Sequence, residues 1–187
     1  MTTASQRPDI SQFKIRRIPS KECMKQFVCG AHDIDNWAAS KAFKCNERNQ
    51  SRVFCGFLGN PAVAIGFYSL SFSPIQSSLL LDQDADLYKD GYAPFIYIER
   101  LGIRKSHQNN HLGTLLLMDA IVRSFRVSEH VPIYGVALRS LNDRTFTKYK
   151  SHGFVEREKC SHPIMILPIW TIEDLVKPPT PAGSTAK

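Results

Sequence analysis

The fold is decided by the stretch Arg100-Leu-Gly-Ile-Arg-Lys-Ser-His-Gln-Asn-Asn-His-Leu-Gly-Thr-Leu-Leu-Leu117, in which a strand, a polar loop and a helix follow one another. The apolar run 95–103 predicts a buried strand, and residues 112–126 predict a helix with one apolar face. Backbone amides in the first turn of a helix have no partners within it, and the helix dipole makes that end positive. With Arg104 and Lys105 close by, the stretch predicts a binding site for a phosphate-bearing ligand.

The remaining chain alternates between strand and helix patterns. Strands are predicted at residues 13–18, 52–58, 63–71, 95–103, 133–138 and 164–169, and helices at 21–27, 34–47, 112–126 and 142–151. Residues 72–94 are predicted to form an irregular, partly acidic loop. A strand followed by a crossover helix and another strand indicates locally parallel pairing. This order predicts an α/β (α+β) fold with a mixed central sheet of about six or seven strands, flanked by about four helices.

Length and composition favour a single globular domain. We predict this domain at residues 9–173, between a flexible N-terminus at 1–8 and a disordered proline-rich tail at 174–187. No apolar run approaches the ~18 residues that span a bilayer, and the N-terminus lacks the apolar core of a secretory signal. A cytoplasmic protein without membrane contact is therefore expected. The net charge of +7 favours a polyanionic partner, although lysines that merely solvate the protein would give the same value.

Cysteines and histidines carry no metal-binding or disulfide pattern. The five cysteines are scattered, odd in number and without a Cys-x-x-Cys pair, and the six histidines lack His-Glu-x-x-His spacing. No metal cofactor is expected. The thiols are interpreted as small, buried or half-buried hydrophobes in a reducing compartment.

The polar loop resembles the acetyl-CoA-binding motif of the GNAT acetyltransferases, which is roughly Gln/Arg-x-x-Gly-x-Gly/Ala after a strand. Gln108 and Gly113 match this motif. His111 stands where the family has its first glycine, and Asn109 stands where close relatives commonly have another glycine. Asn and His are among the few residues that tolerate positive φ, so the loop backbone can still form. The resemblance implies that acetyl-CoA is the acetyl donor. The residues it assigns to acetyl-CoA binding are Leu101, Gly102, Ile103, Gln108, Asn109, Asn110, His111, Leu112, Gly113, Thr114 and Asn142.

A second similarity concerns catalysis. The segment from Phe146 to Phe154 resembles the family's Phe-Tyr-x-x-x-Gly-Phe segment. This resemblance implies that Tyr149 is the acid that protonates the departing CoA thiolate, while a packed helix aromatic is the alternative interpretation. Glu99 is the best carboxylate candidate for a general base, and a pairing with Arg100 or another basic residue is equally consistent with its position. Some GNAT enzymes need no base when the amine has a low pKa, so this role is left open.

The similarity extends over most of the chain to the TacT-like GNAT toxins of bacterial toxin–antitoxin systems. The similarity is carried by short segments in a fixed order along the chain, namely Cys29-Gly30, Ile34-Asp-Asn-Trp37, Lys41-Ala42, Ser51-Arg-Val-Phe54, Gly66-Phe-Tyr-Ser-Leu-Ser71 and Arg100-Leu-Gly-Ile103. The resemblance implies a toxin that acetylates the amino group of aminoacyl-tRNA and blocks translation. It also implies a ribbon-helix-helix antitoxin as partner, and a homodimer is left open.

Two groups of basic residues are compatible with a tRNA substrate, because lysine and arginine side chains hold nucleic acids by phosphate contacts. These candidates are Lys41, Lys44, Arg48 and Arg52 around the second helix, and Arg139, Arg144, Lys148 and Lys150 near Tyr149. Ordinary solvated helix faces would have the same composition. Two other functions also stay open: a GNAT that acetylates a small amine or a protein N-terminus, and a binding module that has kept the fold but lost catalysis.

Overall fold

In the computed structural model, residues 10–88 and 91–176 are described. The predicted flexible N-terminus at 1–8 and residues 177–187 of the predicted tail lie outside them. The last helix ends at Val176, so the prediction that disorder begins at residue 174 is wrong. The first proline after this helix is Pro178, and no residue before it opposes helix formation strongly.

Among the described residues, seven strands form one mixed sheet in the order β1-β2-β3-β4-β5-β7-β6. The strands are β1 (Lys14–Arg17), β2 (Arg52–Phe57), β3 (Gly66–Gln76), β4 (Tyr92–Ile103), β5 (Gly135–Arg139), β6 (Val155–Glu156) and β7 (Ile164–Pro168). The helices are α1 (His32–Ser40), α2 (Ala42–Glu47), α3 (Leu112–Ser128), α4 (Asp143–Lys150) and α5 (Ile169–Val176). The predicted mixed α/β fold is confirmed, with one helix more than expected.

The described residues divide into two compact units. The first comprises residues 10–74 and 96–121, and the second comprises 75–88, 91–95 and 122–176. The strand–loop–helix stretch from residue 100 to 117 lies wholly in the first unit. Tyr149 and Asn142 lie in the second.

An aromatic cluster forms the core of the first unit. Phe67 on β3 is stacked on Trp37 of α1, with 5.9 Å between ring centroids. The Phe27 ring contacts the Phe67 ring edge-on, with 5.0 Å between centroids. β1, β2 and β3 are antiparallel neighbours, so that Cys55 lies opposite both Arg16 and Phe67. Aromatic pairs of this geometry contribute beyond their buried area. They fix α1 against the sheet next to the end of β4.

Gly66, the first residue of β3, lies where strands and helix approach most closely. A Cβ at this position would collide with the side chain of Ile103, and it would lie 2.9 Å from Leu116 Cδ1 and 3.0 Å from the carbonyl oxygen of Gly102. The residue is glycine because β3, the end of β4 and α3 leave no room for a methyl group.

We therefore expect Gly66→Ala to lower the free energy of unfolding by about 1–3 kcal/mol, the usual cost of overpacking. The measurement is urea unfolding of the variant beside the wild type. Because a carbonyl oxygen of β4 is one of the crowded atoms, the side chains alone cannot relieve the clash. An unchanged midpoint with an unchanged slope would contradict this account of the packing.

The predicted single helix at 34–47 is wrong, because the chain forms two helices that meet at Lys41. The turn leaves Lys41 exposed and buries Ala42 and Asn46 in the helix that follows. The buried Asn46 Oδ1 accepts hydrogen bonds from Arg17 Nε at 3.2 Å and from the Val53 amide at 3.3 Å. A straight continuation of α1 would not satisfy this buried acceptor, which ties α2 to β1 and β2.

Residues 72–94 are more ordered than predicted. β3 continues to Gln76, β4 begins at Tyr92, and two 3-10 turns lie at Ser77–Leu79 and Asp82–Leu87. Arg157 holds this segment by donating to the carbonyl oxygens of Leu79 and Leu80 and to Asp82. These partners are more than seventy positions apart in the chain, so local sequence patterns carry no sign of them.

Candidate active site

In the loop between β4 and α3, two residues that stand in the place of glycines have a left-handed backbone. Asn109 has φ 66° and His111 has φ 58°, both in the left-handed region. Asn and His reach this region at lower cost than most residues, because a short polar side chain can hydrogen-bond locally there. Both residues therefore have the positive φ expected of them, and the role of the loop in binding acetyl-CoA stays a prediction. α3 then begins at Leu112, and the amides of Leu112 and Gly113 have no carbonyl partner within the helix.

Side-chain amides of the loop donate hydrogen bonds to the backbone of the loop, of β4 and of the segment before α1. Gln108 Nε2 donates to the carbonyl oxygen of Cys29 at 2.7 Å and to that of Ile103 at 3.0 Å. Asn110 Nδ2 donates to the carbonyl oxygen of His107 at 3.4 Å and to that of Gln108 at 3.3 Å. Gln108 therefore fastens the loop to β4 and to the segment before α1. Its assignment as a direct ligand of acetyl-CoA stays a prediction.

The two basic residues at the start of the loop differ in their surroundings. Arg104 donates from Nη1 to the Gln26 carbonyl at 2.6 Å and from Nε to the Ala64 carbonyl at 3.2 Å, and its guanidinium lies 5.8 Å from the Phe27 ring centroid. Arg104 is thus largely a clamp for the backbone. The side chain of Lys105 is exposed and supplies the positive charge expected beside the loop.

The backbone at His111 gives a direct test of this loop. Because a β-branched residue is strained at positive φ, His111→Val should lower the free energy of unfolding by about 1–2 kcal/mol and should also weaken acetyl-CoA binding. His111→Gly should keep both close to the wild type. Asn49→Val is the matched control: Asn49 has φ 57° at the end of α2, so it should lose stability without losing acetyl-CoA affinity. Equal acetyl-CoA affinity for all three variants in a calorimetric titration would contradict the role of the loop.

The end of β4 is packed tightly against α1. A Cβ on Gly102 would lie 3.3 Å from Ile34 Cγ2 and 3.4 Å from the Phe27 ring, so glycine lets these side chains approach the strand. Gly102 and Ile103 are buried and Leu101 is half-buried. The predicted backbone contacts of Leu101 and Ile103 with the pantetheine arm stay predictions.

Glu99 is paired with its neighbour. Its Oε2 lies 3.6 Å from Arg100 Nη1 and accepts a hydrogen bond from Ser69 Oγ at 3.5 Å. The Arg100 guanidinium lies 4.5 Å above the Trp37 ring. The pairing with Arg100, one of the two interpretations of this carboxylate, is therefore present. The role of general base stays a prediction.

Tyr149, on α4, is buried, with 9% of its surface exposed, and its ring lies 6.0 Å from that of Phe154. Gly153, with φ 89°, ends the helix, and the Phe154 amide donates to the Tyr149 carbonyl at 3.2 Å. The Phe-Tyr-x-x-x-Gly-Phe pattern thus folds back so that its second phenylalanine packs on the tyrosine. Burial raises the pKa of Tyr149 to about 12, which keeps the phenol protonated at neutral pH.

Asn142 caps the helix that carries Tyr149. Its Oδ1 accepts from the Thr145 amide at 3.0 Å, and Thr145 Oγ1 accepts from the Asn142 amide at 3.1 Å, which makes a capping box. This cap orients the first turn of α4. The predicted contact of Asn142 with acetyl-CoA stays a prediction.

The basic residues predicted to bind nucleic acid differ between the units. In the first unit, Lys41, Lys44 and Arg48 are exposed and follow the i, i+3, i+7 spacing of one helical face. Arg52 lies nearby on β2 and donates to Asn49 Oδ1 at 2.6 Å. We call Lys41, Lys44, Arg48 and Arg52 the basic face.

The basic residues of the second unit are less uniform. Arg139 is paired with Glu158 at 2.7 Å and also donates to the His162 carbonyl at 2.8 Å. Lys148 is half-buried, and burial, together with the nearby Arg144, lowers its pKa. Arg144 and Lys150 are exposed. The basic face of the first unit is therefore the stronger candidate for contact with a polyanion.

Two features are absent from the part of the chain that the structure describes, namely a cluster of metal ligands and a membrane-spanning helix. Residues 10–88 and 91–176 contain no group of three His, Cys, Asp or Glu side chains that could hold a metal ion. Within the same ranges, no helix is both long enough and apolar enough to cross a membrane.

The curated proteins that are similar to this chain in sequence include two toxins, whereas no protein-family profile matches it. A probable toxin TacT from Sinorhizobium fredii is 26% identical over 167 residues, which are 84% of this chain and 91% of that protein. A tRNA-acetylating toxin from Mycobacterium tuberculosis is 24% identical over 139 residues, 74% of this chain and 82% of that protein.

Solved structures of toxins share the fold. A tyrosine-to-phenylalanine mutant of KacT superposes with a TM-score of 0.81 at 22% identity, over 88% of this chain and 99% of that one. AtaT in complex with acetyl-methionyl-tRNAfMet gives 0.80 at 21% identity, over 88% and 99%. A mutant AtaT bound to acetyl-CoA and to the C-terminus of the antitoxin AtaR gives 0.73 at 20% identity, over 88% and 98%.

The fold of this chain is therefore that of the GNAT class. Within that class, the chain is similar in sequence to the TacT-like toxins over most of its length. These comparisons confirm the resemblance to TacT-like toxins that the short sequence segments indicate.

Proposed function

We propose that this chain is an acetyl-CoA-dependent N-acetyltransferase that acts as a toxin by acetylating the amino group of aminoacyl-tRNA. The observation that carries the proposal is the left-handed backbone at Asn109 and His111, just before α3, at positions where the acetyl-CoA motif has glycine. The similar proteins include a tRNA-acetylating toxin and AtaT, which was solved with acetyl-methionyl-tRNAfMet.

The residues of the loop fit acetyl-CoA. The first-turn amides of Leu112 and Gly113 suit a pyrophosphate, because they combine unpaired donors with the positive end of the helix dipole. Lys105, exposed at the start of the loop, adds charge of the right sign. Asn109 and His111 stand in the place of glycines and have the positive φ that glycine adopts readily, which supports a loop that has kept its donor site.

The reaction forms a C–N bond and breaks a C–S bond, and acetyl-CoA supplies the acetyl group as a thioester. Tyr149 donates its phenolic proton to the leaving sulfur, and the proton that the amine loses restores the phenol. The raised pKa keeps this donor protonated at neutral pH. The capped and tightly turned α4 holds the ring in place.

The amine of the substrate needs little help from the protein. The amino group of an aminoacyl ester has a lowered pKa, so a large fraction is uncharged and nucleophilic near neutral pH. Glu99 is engaged with Arg100 and Ser69, which supports a mechanism without a dedicated carboxylate base. We assign Glu99 to the positioning of Arg100 over Trp37.

The basic face supplies the contact with tRNA. Its members Lys41, Lys44 and Arg48 are exposed and have the spacing of one helical face, and phosphate contacts of this kind supply affinity without reading sequence. An antitoxin is proposed as partner because AtaT was solved bound to its antitoxin. That this antitoxin is of the ribbon-helix-helix type, that the toxin is a homodimer and that it acts in the cytoplasm are further parts of the proposal.

A competition between acceptors separates this function from its rivals. Purified protein is incubated with labelled acetyl-CoA and, in parallel, with charged tRNA, uncharged tRNA, a polyamine and a peptide with a free N-terminus. The proposal expects label on charged tRNA only. Label on the polyamine or peptide with none on charged tRNA would favour a small-amine or N-terminal acetyltransferase. Tight acetyl-CoA binding with no labelled acceptor would favour a binding module.

A further inference from the structure

The segment that precedes α1 is hydrogen-bonded to the acetyl-CoA loop at three successive points. Arg104 Nη1 donates to the Gln26 carbonyl at 2.6 Å, and the Lys105 amide donates to the Val28 carbonyl at 2.8 Å. Gln108 Nε2 donates to the Cys29 carbonyl at 2.7 Å. The loop is therefore placed by a partner segment more than seventy residues away in the chain.

Asp35, on the first turns of α1, holds that partner segment from the other side. Its Oδ1 accepts a hydrogen bond from the Cys29 amide at 2.7 Å, and its Oδ2 accepts one from the Gly30 amide at 3.1 Å. Cys29 is thus fixed through its amide by Asp35 and through its carbonyl by Gln108. Cys29 therefore connects the helix to the loop.

The surroundings make this connection rigid. Burial raises the pKa of Asp35, but hydrogen bonds from the Cys29 and Gly30 amides outweigh it, so the pKa lies below its usual value and the carboxylate is ionised at neutral pH. Gly30 has φ 97°, a conformation that lets both amides face one carboxylate. The neighbouring Ile34 packs against Gly102, at the end of β4.

We propose that Asp35 is a positioning residue for acetyl-CoA: through Cys29 and Gln108 it sets the place of the loop that binds the donor. The inference deepens the proposed function and rests on it, because the loop must be the acetyl-CoA site. The carboxylate does not cap its own helix, since both of its acceptor atoms are directed to the turn before α1. The same α1–α2 pair carries Lys41, Lys44 and Arg48, so the scaffold of the basic face and the donor loop share this anchor.

Asp35→Asn is the first variant for the test, because it keeps the shape of the side chain but leaves only one acceptor atom and no charge. We expect the Kd for acetyl-CoA, measured by calorimetry, to rise about tenfold, as expected for loss of a charge-assisted hydrogen bond. The KM for acetyl-CoA should rise in parallel, while kcat at saturating donor should stay unchanged. A residue that serves only stability would instead lower the melting temperature and the active fraction, with Kd and KM unchanged.

Asp33→Asn is the matched control, because Asp33 lies in the same helical turn with a fully exposed side chain, 3.8 Å from His32. It should keep the Kd of the wild type. A double-mutant cycle with Gln108→Met then tests the path, since residues of one network give non-additive effects. The double variant should bind acetyl-CoA no more weakly than the weaker of the two single variants.

The outcomes separate this inference from the proposed function. A wild type that does not bind acetyl-CoA would overturn the proposed function itself. A wild type that binds, beside an Asp35→Asn variant of equal affinity, would overturn the positioning role alone. Additive effects in the cycle would overturn the path through Cys29 and Gln108, and an equal loss of affinity in Asp33→Asn would assign the effect to the general charge of the helix.

Discussion

Tyr149→Phe is expected to lower kcat for acetyl transfer about 100- to 1000-fold, because the variant removes the only atom that the mechanism uses to protonate the leaving thiolate. The Kd for acetyl-CoA should stay within about twofold of the wild type, since the residues assigned to donor binding do not include Tyr149. Stopped-flow or discontinuous assays at saturating donor and acceptor measure the first quantity, and calorimetry measures the second.

The structure predicts that this variant folds normally. The ring of Tyr149 packs on Phe154, and phenylalanine preserves that contact. The Tyr149 hydroxyl has no hydrogen-bond partner within residues 10–88 and 91–176. Removing this hydroxyl therefore leaves no group of those residues unpaired. Tyr134→Phe is the matched control in the same unit. It removes a hydrogen bond of 2.7 Å to Asp84, so it should lower stability by about 1 kcal/mol while kcat is preserved.

The pH dependence follows from the same burial. Because burial raises the pKa of Tyr149 to about 12, the phenol stays protonated across the range in which the enzyme can be assayed. The native state then holds a proton that the unfolded state loses near its ordinary pKa of about 10, so this residue makes stability fall as the pH rises above that value. Unfolding midpoints of wild type and Tyr149→Phe should therefore diverge only in alkaline buffer. A kcat that Tyr149→Phe leaves unchanged would remove the residue from the mechanism.

The triple variant Lys41→Glu, Lys44→Glu and Arg48→Glu should reduce kcat/KM for charged tRNA at least about 100-fold at physiological salt. Reversing three charges on one face replaces phosphate attraction by repulsion, while the side chains are exposed and leave the core intact. Acetyl-CoA affinity should not change. Unchanged acetylation of tRNA by this variant would show that the basic face is an ordinary solvated surface.

Two controls sharpen this result. The exposed residues Lys14, Lys21 and Lys25 lie in the same unit but outside the α1–α2 pair, so reversing their charges removes the same net charge elsewhere. This control should retain most of the activity. The glutamine version of the basic-face triple should lower the salt dependence of tRNA affinity by about one unit of slope for each phosphate that the protein no longer neutralises.

Local sequence is sufficient for the parts of the fold that depend on local patterns. The strand–loop–helix from 100 to 117 is predictable because a long apolar strand, a polar loop and an amphipathic helix follow one another without interruption. The left-handed turns at Asn109 and His111 follow from the conformational preferences of two residue types. The helix with Tyr149 is predicted nearly to the residue, because a capping Asn142 and a terminal Gly153 mark its ends.

The remainder depends on distant contacts that no local pattern contains. The break at Lys41 depends on a buried acceptor of Asn46, whose donors lie on two strands. The order within 72–94 depends on Arg157, far along the chain. The sequence alone does not identify Asp35 as a functional residue, although the segments Cys29-Gly30 and Ile34-Asp35 are among those that resemble the TacT-like toxins. Their spacing, a glycine turn followed five residues later by a carboxylate, is the signal that could find it.

The most direct test of the account is mass spectrometry of charged tRNA after incubation with the purified protein and acetyl-CoA. Nuclease digestion releases the aminoacyl-adenosine from the tRNA end, and its mass reports whether this end has gained an acetyl group. The account predicts an aminoacyl-adenosine heavier by one acetyl group, formed by the wild type and strongly reduced in Tyr149→Phe. Unmodified aminoacyl-adenosine in the presence of wild-type protein that binds acetyl-CoA would contradict it.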